Sequence, residues 1–410
     1  METVEPDRIM GVRGYLSEYD IVIVKHTYTP TGGAEQELLR YLLPRAKSVV
    51  YVSHPFSDAR GIPLNTSIAI YEQGEKRREI VAPLVKGPQP LFFLKDVLFT
   101  LWYLRKNSPS RGFRIYVGVD NLNAYTGLLL KRLGVVERVI YYVIDYAPQR
   151  FSNRFGQWLY QEVDKRCCYG SDAVWNVSAS MEEARKEARI DANRCAPQLE
   201  VPLGNRYSEI QKLALEKKDP NLIVFLGSLT REQGLDRAIQ AMPEMKRRLP
   251  NARLRIIGDG PECASLRNLA VEKGVSDAVE FMGFVEDDTE AARLAAEGAV
   301  GIAPYVQTTD TYKRLADPGK VKIYLAAGLP VIITRVPRIA GLIETREAGV
   351  IIEPNAGSLT DAVNAILSSP EKLRRLRANA SELGKEYDWD TVFDRALEQT
   401  FEHWREKKCG

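Results

Sequence analysis

Two successive series of short apolar runs, each followed by a stretch with helical spacing, fill nearly the whole chain. That alternation constrains the fold more than any other feature, because parallel strands covered on both faces by crossover helices read in this way. The first series predicts strands at residues 20–26, 48–54, 113–121, 138–146 and 173–178, with helices at 34–43, 91–106, 124–133 and 153–169. Residues 203–220 are polar and end in Lys-Lys-Asp-Pro, which marks a boundary. A second series follows, with strands at 222–227, 253–258, 279–284, 300–305, 330–334 and 350–353. The expected fold class is α/β, two doubly wound Rossmann-like domains facing across a cleft. The first domain is expected over residues 1–205 and the second over 206–385, with 386–410 a terminal helix able to cross back to the first.

Sheets of this kind bind ligands at the carboxyl ends of their strands, beside the point where strand order reverses. Two of them in one chain suit a reaction between two substrates, one held by each half. Lys and Arg total 57 against 54 Asp and Glu, a net charge of +3, so nucleic acid is not an expected partner. The cysteines Cys167, Cys168, Cys195, Cys263 and Cys409 are odd in number and lack metal-ligand spacing, which reads as free thiols in a reducing cytoplasm. Residues 1–9 have no secretory apolar core, and the apolar stretch at 90–104 is interrupted by Lys95 and Asp96. It falls short of the roughly 20 residues needed to span a bilayer. The reading is a cytoplasmic protein, with room for peripheral contact at the inner face of the membrane. Residues 91–106 carry Phe and Trp and end in Arg105-Lys106, and two readings stand: an apolar stripe packed on the sheet, or a face in a membrane interface. Lys76-Arg77-Arg78 reads as a solvated, basic loop.

The second half holds the loops that carry chemistry. Phe225-Leu-Gly227-Ser228-Leu-Thr-Arg231-Glu-Gln233-Gly234 is a strand breaking into a glycine-bounded loop, and Gly258-Asp-Gly260-Pro-Glu262 repeats the switch one unit later. Glycines there let backbone N–H groups approach a ligand, and the following helix N-terminus favours an anion. Each loop alone is also what a tight turn looks like. Gly258-x-Gly260 lacks the third glycine of the dinucleotide fingerprint, which disfavours a dehydrogenase.

These two loops, followed by Glu280-Phe-Met-Gly283-Phe284-Val285 and by Lys320-x-x-x-Tyr324-Leu-Ala-Ala-Gly-Leu-Pro-Val-Ile332, resemble the nucleotide-sugar half of retaining glycosyltransferases of the GT-B type, family 4 (glycosyl transferases group 1). The resemblance runs on through Glu344, the segment at 348–354 and Tyr387-Asp-Trp389, and covers roughly residues 221–404. In the first half, Thr31-Gly32-Gly33-Ala34-Glu35 is similar to the family's Gly-Gly loop. The resemblance implies a hexosyltransferase-like enzyme of carbohydrate biosynthesis with no cofactor, the nucleotide-sugar being a donor substrate. Its acceptor would be a glycan, a lipid-linked molecule or a small molecule. It also implies a metal-independent site, and Glu286-Asp287-Asp288 reads as a solvated helix cap. The base is expected near Gly283, Phe284 and Val285, with Gly32 and Gly33 closing over the sugar. Gly227, Ser228, Gly258, Gly319, Ile323 and Tyr324 complete the implied donor contacts.

Four positions depart from the family pattern. Ser228 and Gln233 stand where the family usually has Arg and Lys, and Ile323 and Leu315 stand where it has paired glutamates. A charge-assisted contact is worth about 1.5–3 kcal/mol, so two missing cations matter. Arg231 and Lys320 are the expected replacements. Asp317-Pro-Gly319-Lys320 opens a helix, and a variant branch of the family carries a Pro-x-Lys of this kind. Asp145, at the carboxyl end of its strand, matches a position that in the family touches the sugar; Asp120 and Asn121 end the preceding strand and are weaker candidates, while His26 and His54 read as packing or turn residues. The functional expectation is transfer with retention of anomeric configuration, by Asp145, Lys320 and Arg231. The alternatives are a degenerate nucleotide- or partner-binding relative, and a nucleotide-sugar epimerase on the same plan.

Overall fold

The computed structural model describes residues 14, 16–28, 32–59, 61–83, 87–210, 212, 219–286, 288–306, 315 and 317–409. The chain divides into two compact units, one of residues Met1–Val201 with Phe393–Gly410 and one of Pro202–Val392.

The first unit is built on eight strands: β1 (Asp20–Thr27), β2 (Ser48–Pro55), β3 (Ser67–Glu72), β4 (Glu75–Val81), β5 (Phe113–Val119), β6 (Val136–Val143), β7 (Ala173–Asn176) and β8 (Gln198–Glu200). Their order is β4-β3-β2-β1-β5-β6-β7-β8, with the β2–β3 and β3–β4 pairings antiparallel and the others parallel. The central parallel strands are apolar through their middles, and Ile21 to Val24 are all buried, as expected where helices cover both faces. The β3–β4 hairpin corrects the sequence reading: Lys76-Arg77-Arg78 lies on an edge strand, not a loop. Its turn is made by Gln73 (φ 52°) and Gly74 (φ 84°), the left-handed pair that suits a two-residue hairpin. Edge strands carry charge to prevent further pairing, and that masked the apolar alternation.

Helix Trp389–Cys409 passes into the first unit at Phe393. There Tyr41 donates to Asp394, Trp175 Nε1 donates to Thr400 Oγ1 at 2.9 Å, and Trp404 Nε1 donates to the Asp172 carbonyl at 3.1 Å.

The second unit has six parallel strands, β9 (Leu222–Leu226), β10 (Arg253–Ile257), β11 (Val279–Gly283), β12 (Val300–Ala303), β13 (Val331–Thr334) and β14 (Gly349–Ile352). Their order is β11-β10-β9-β12-β13-β14. The chain steps outward from β9 to β11, then returns to the other side of β9, so the switch point lies between β9 and β12. In the first unit the corresponding point lies between β1 and β5.

Candidate functional site

The carboxyl edge of the second sheet is set by three glycines. Gly227, Gly258 and Gly283 follow or end β9, β10 and β11, all with positive φ (131°, 140° and 76°). Gly227 N donates to the Ile257 carbonyl at 2.9 Å and Gly258 N to the Gly283 carbonyl at 2.8 Å. A Cβ on Gly258 would lie 2.0 Å from the Gly227 carbonyl oxygen, and one on Gly227 would lie 3.0 Å from Lys320 Cε and Nζ. The first glycine is therefore required by strand-end packing, and the second makes room for a cation.

That cation is held from several sides. Lys320 is the second residue of helix Gly319–Ala326, whose N-cap is Pro318. Its ammonium donates to Gln233 Oε1 at 2.5 Å and sits 3.9 Å from the Phe225 ring centroid. Gln233 is buried and lies in the short turn Arg231–Gln233, closed by left-handed Gly234. So the loop position where the resemblance led us to expect Lys holds instead an acceptor for Lys320. The turn carrying Pro318 and Gly319 is anchored behind by a buried pair: Asp317 accepts from the Leu203 backbone N–H at 2.7 Å and from Lys322. Lys322 was missed in the sequence. A lysine amid apolar helix residues, five after an aspartate, was the available signal.

Other expected donor residues fall in different places. Ser228 and Phe284 are exposed, whereas Val285 and Ile323 are half-buried against the core. Tyr324 is a correction. It is wholly buried, its hydroxyl accepts from the Leu226 N–H at 2.7 Å and donates to the Ile302 carbonyl at 3.4 Å. It ties β9 to β12 and offers nothing to a ligand. Arg231 is exposed and lies 3.4 Å from Glu262. Both line a cavity of about 310 Å³ with Thr230, Asp236, Arg237 and Val306. Among the described residues no three His, Cys, Asp or Glu side chains converge as a metal site; Asp287 of the acidic run lies outside the described residues.

Gly32, Gly33 and Asp145 belong to the first unit. Gly33 caps helix Ala34–Leu42, and Glu35 in its first turn pairs with buried Lys25 at 2.6 Å; Thr31 lies outside the described residues. Asp145 follows β6, with Oδ2 accepting from Arg150 Nη1 at 2.6 Å and Oδ1 buried without a hydrogen-bond partner.

Beside it the structure brings a residue ranked lower in the sequence. Asp120 opens helix Asp120–Arg132 at the end of β5, with φ 62°, a conformation costly for a residue with a Cβ. Its Oδ1 is also buried without a partner. Burial, and then the Asp145 charge, push its carboxyl up to about 7. The native state thus holds a proton between about pH 4 and 7 that the unfolded chain has released, and this contribution weakens as pH rises through that window. Asp120→Asn, which tolerates the same backbone, should be stabilised relative to the parent by a margin that grows across that window to about 4 kcal/mol. Urea unfolding at several pH values checks this; a constant margin would remove the burial explanation.

His26 and His54 are neither turn residues nor free catalysts. Asp96 sits between them, 3.2 Å from His26 Nε2 and 3.1 Å from His54 Nδ1, and Asn123 donates to His26 Nδ1 at 3.0 Å. Burial lowers His54 to about 4, so its imidazole is neutral in the fold.

Residues 220–369 match the family described as glycosyl transferases group 1. An uncharacterised glycosyltransferase of Methanocaldococcus jannaschii is 30% identical over 176 residues, covering 42% of this chain and 43% of that protein. A GDP-mannose-dependent alpha-(1-6)-phosphatidylinositol monomannoside mannosyltransferase of Mycobacterium tuberculosis is 25% identical over 267 residues, covering 64% of this chain and 62% of its own. The chain thus spans about two-fifths to three-fifths of these relatives' length. Among solved structures, Anabaena HepE in complex with UDP superposes with a TM-score of 0.68 at 15% identity, over 93% of this chain and 99% of that one. Sucrose-phosphate synthase of Thermosynechococcus elongatus superposes at 0.66 with 16% identity, over 96% of this chain and 100% of that one. At these identities the likeness is one of fold.

Proposed function

We propose that this chain, whose residues 220–369 match the glycosyl transferases of group 1 and which shares the GT-B fold, moves a hexosyl group from a nucleoside diphosphate sugar to an acceptor hydroxyl with retention of configuration. The observation that carries this reading is the placement of Lys320. Its ammonium stands at a helix start, against the Gly227 backbone, at the switch point of the sheet. A diphosphate there meets an ammonium and helix N–H groups acting on the same oxygens. These groups take up negative charge as the donor bond breaks, so neither a metal nor a cofactor is needed. Within the second unit, Phe284 is the residue assigned to the base. No protein nucleophile is invoked: the leaving diphosphate takes the acceptor proton on the same face of the sugar as the bond that breaks.

The acceptor is a glycan, a lipid-linked molecule or a small molecule. In the lipid-linked case the enzyme works at the inner face of the membrane; no helix among the described residues is long and apolar enough to cross it. A second reading, binding without transfer, draws on Gln233 standing where the family has Lys. The test that separates them is release of nucleoside diphosphate from a panel of donors with an acceptor mixture, run in EDTA. Acceptor-dependent release is expected; release restored only by Mg²⁺ or Mn²⁺ would refute metal independence, and binding without release would favour the second reading. Asp145→Asn should lower kcat about 10²-fold while leaving the donor KM within about twofold, because its role is toward the sugar. Equal losses in both would return Asp145 to a supporting role.

A further inference from the structure

We infer that the first unit docks on an anionic lipid bilayer through the outer faces of helices Gln89–Lys106 and Arg154–Gly170. This deepens the proposed function, and rests on it only for the lipid-linked acceptor. Fourteen large apolar side chains are exposed among the described residues, and seven of them lie on these two helices. Such concentration is what distinguishes a contact surface from scattered exposure. Leu94, Leu98 and Trp102 form one stripe at four-residue spacing, and Phe155, Trp158 and Leu159 form another. Trp102 is 56% exposed, Phe155 71% and Trp158 57%. The opposite faces are committed to the fold, through Phe92, Thr100 and Leu104 in the first helix and Gln157, Cys167 and Cys168 in the second.

Both helices pack against helix Asp120–Arg132, which lies between them and has no large apolar side chain exposed. The two stripes therefore belong to one layer of helices. Each helix precedes a parallel strand, so it runs back from the carboxyl edge, and its first turns stand at the edge that carries Asp145. A bilayer against these stripes would present a lipid-borne hydroxyl to that edge.

Charge selects the occupant. The first helix has one acid, Asp96, which is buried and paired with Lys95 at 2.8 Å. In the second, Glu162 pairs with Arg166 at 2.9 Å and Asp164 is buried against Arg185 at 3.0 Å. The exposed charges at the helix ends are basic: Arg105, Lys106 and Arg154, with the Lys106 ammonium 5.2 Å from the Trp102 ring centroid. Aromatic side chains rimmed by cations suit the headgroup region of an anionic membrane. A second copy of the chain would oppose like charges across the same face.

Flotation of the full chain with phosphatidylcholine vesicles, alone or mixed with phosphatidylglycerol, tests this without donor or acceptor. A failure of transferase activity therefore leaves the result readable. Binding is expected on the mixed vesicles, weakening as salt is raised. Leu98→Glu/Trp102→Glu and Phe155→Glu/Trp158→Glu should each lower the bound fraction about tenfold or more, with unchanged thermal unfolding and unchanged transfer to a soluble acceptor. Val271→Glu, at an exposed apolar position of the second unit, should bind like the parent. Parent binding that matches both double variants would overturn the inference. So would a parent dimer in sedimentation that these variants dissociate.

Discussion

Lys320→Ala should slow transfer by about 10²–10³, the loss that follows removal of one preorganised group stabilising developing charge. The size follows from how the ammonium is held. Gln233 Oε1 fixes it at 2.5 Å, the Phe225 ring lies beneath it, and the Asp317–Lys322 pair anchors the turn from which it projects. An ammonium positioned this way meets the leaving diphosphate without reorganising. Gln233→Lys in the Lys320→Ala background should recover part of the rate, since residue 233 already reaches the Lys320 ammonium. Arg231→Ala should cost less, because Arg231 is exposed and water can replace it. Initial rates of diphosphate release, with donor KM, check the set. An unchanged rate and donor affinity in Lys320→Ala would take Lys320 out of the site.

The largest stability effect is expected in the first unit, from Arg185→Met. Asp164 accepts from Arg185 Nε at 3.0 Å and Nη2 at 3.1 Å, and from the Tyr141 hydroxyl at 2.6 Å. Arg185 Nη1 donates to Asn176 Oδ1 at 2.7 Å. Both members of the ion pair are 1% exposed. Removing the guanidinium leaves a buried carboxylate with only a hydroxyl, which costs about 3–5 kcal/mol. In a unit of this size that lowers Tm by roughly 2–4 °C per kcal/mol. Asp164→Asn added to Arg185→Met should restore a good part, because the unpaired charge is then gone. Tyr141 lies on β6, whose end carries Asp145, so the pair also supports the candidate sugar-facing edge. A change of under about 1 kcal/mol would show that the pair is not what holds helix Arg154–Gly170 to its neighbours.

Strand ends of the second unit were legible because packing and chemistry ask for the same residue there. A Cβ would clash with backbone at Gly258 and crowd Lys320 at Gly227, and these are also the positions where the proposed donor would meet backbone. Lys320 was legible from the Pro318-Gly319 helix start. Its link to Gln233 was not, since the two are separated by 87 positions and meet only once β9 and β12 are neighbours. Tyr324 misled because a tyrosine beside a ligand-binding turn and a tyrosine tying two strands read alike. The β3–β4 hairpin was hidden by its charges, and Asp120 by a left-handed backbone that no spacing reveals. The His26–Asp96–His54 network joins the ends of β1 and β2 to a helix, so it too appears only with the sheet order.

Proton NMR of the glycoside formed from an α-configured nucleoside diphosphate hexose, with EDTA present, tests the proposed chemistry most directly. Retention predicts an α-linked product appearing in step with free nucleoside diphosphate, both slowed together by Lys320→Ala. A β-linked product, or diphosphate released only after a divalent metal is added, would contradict it.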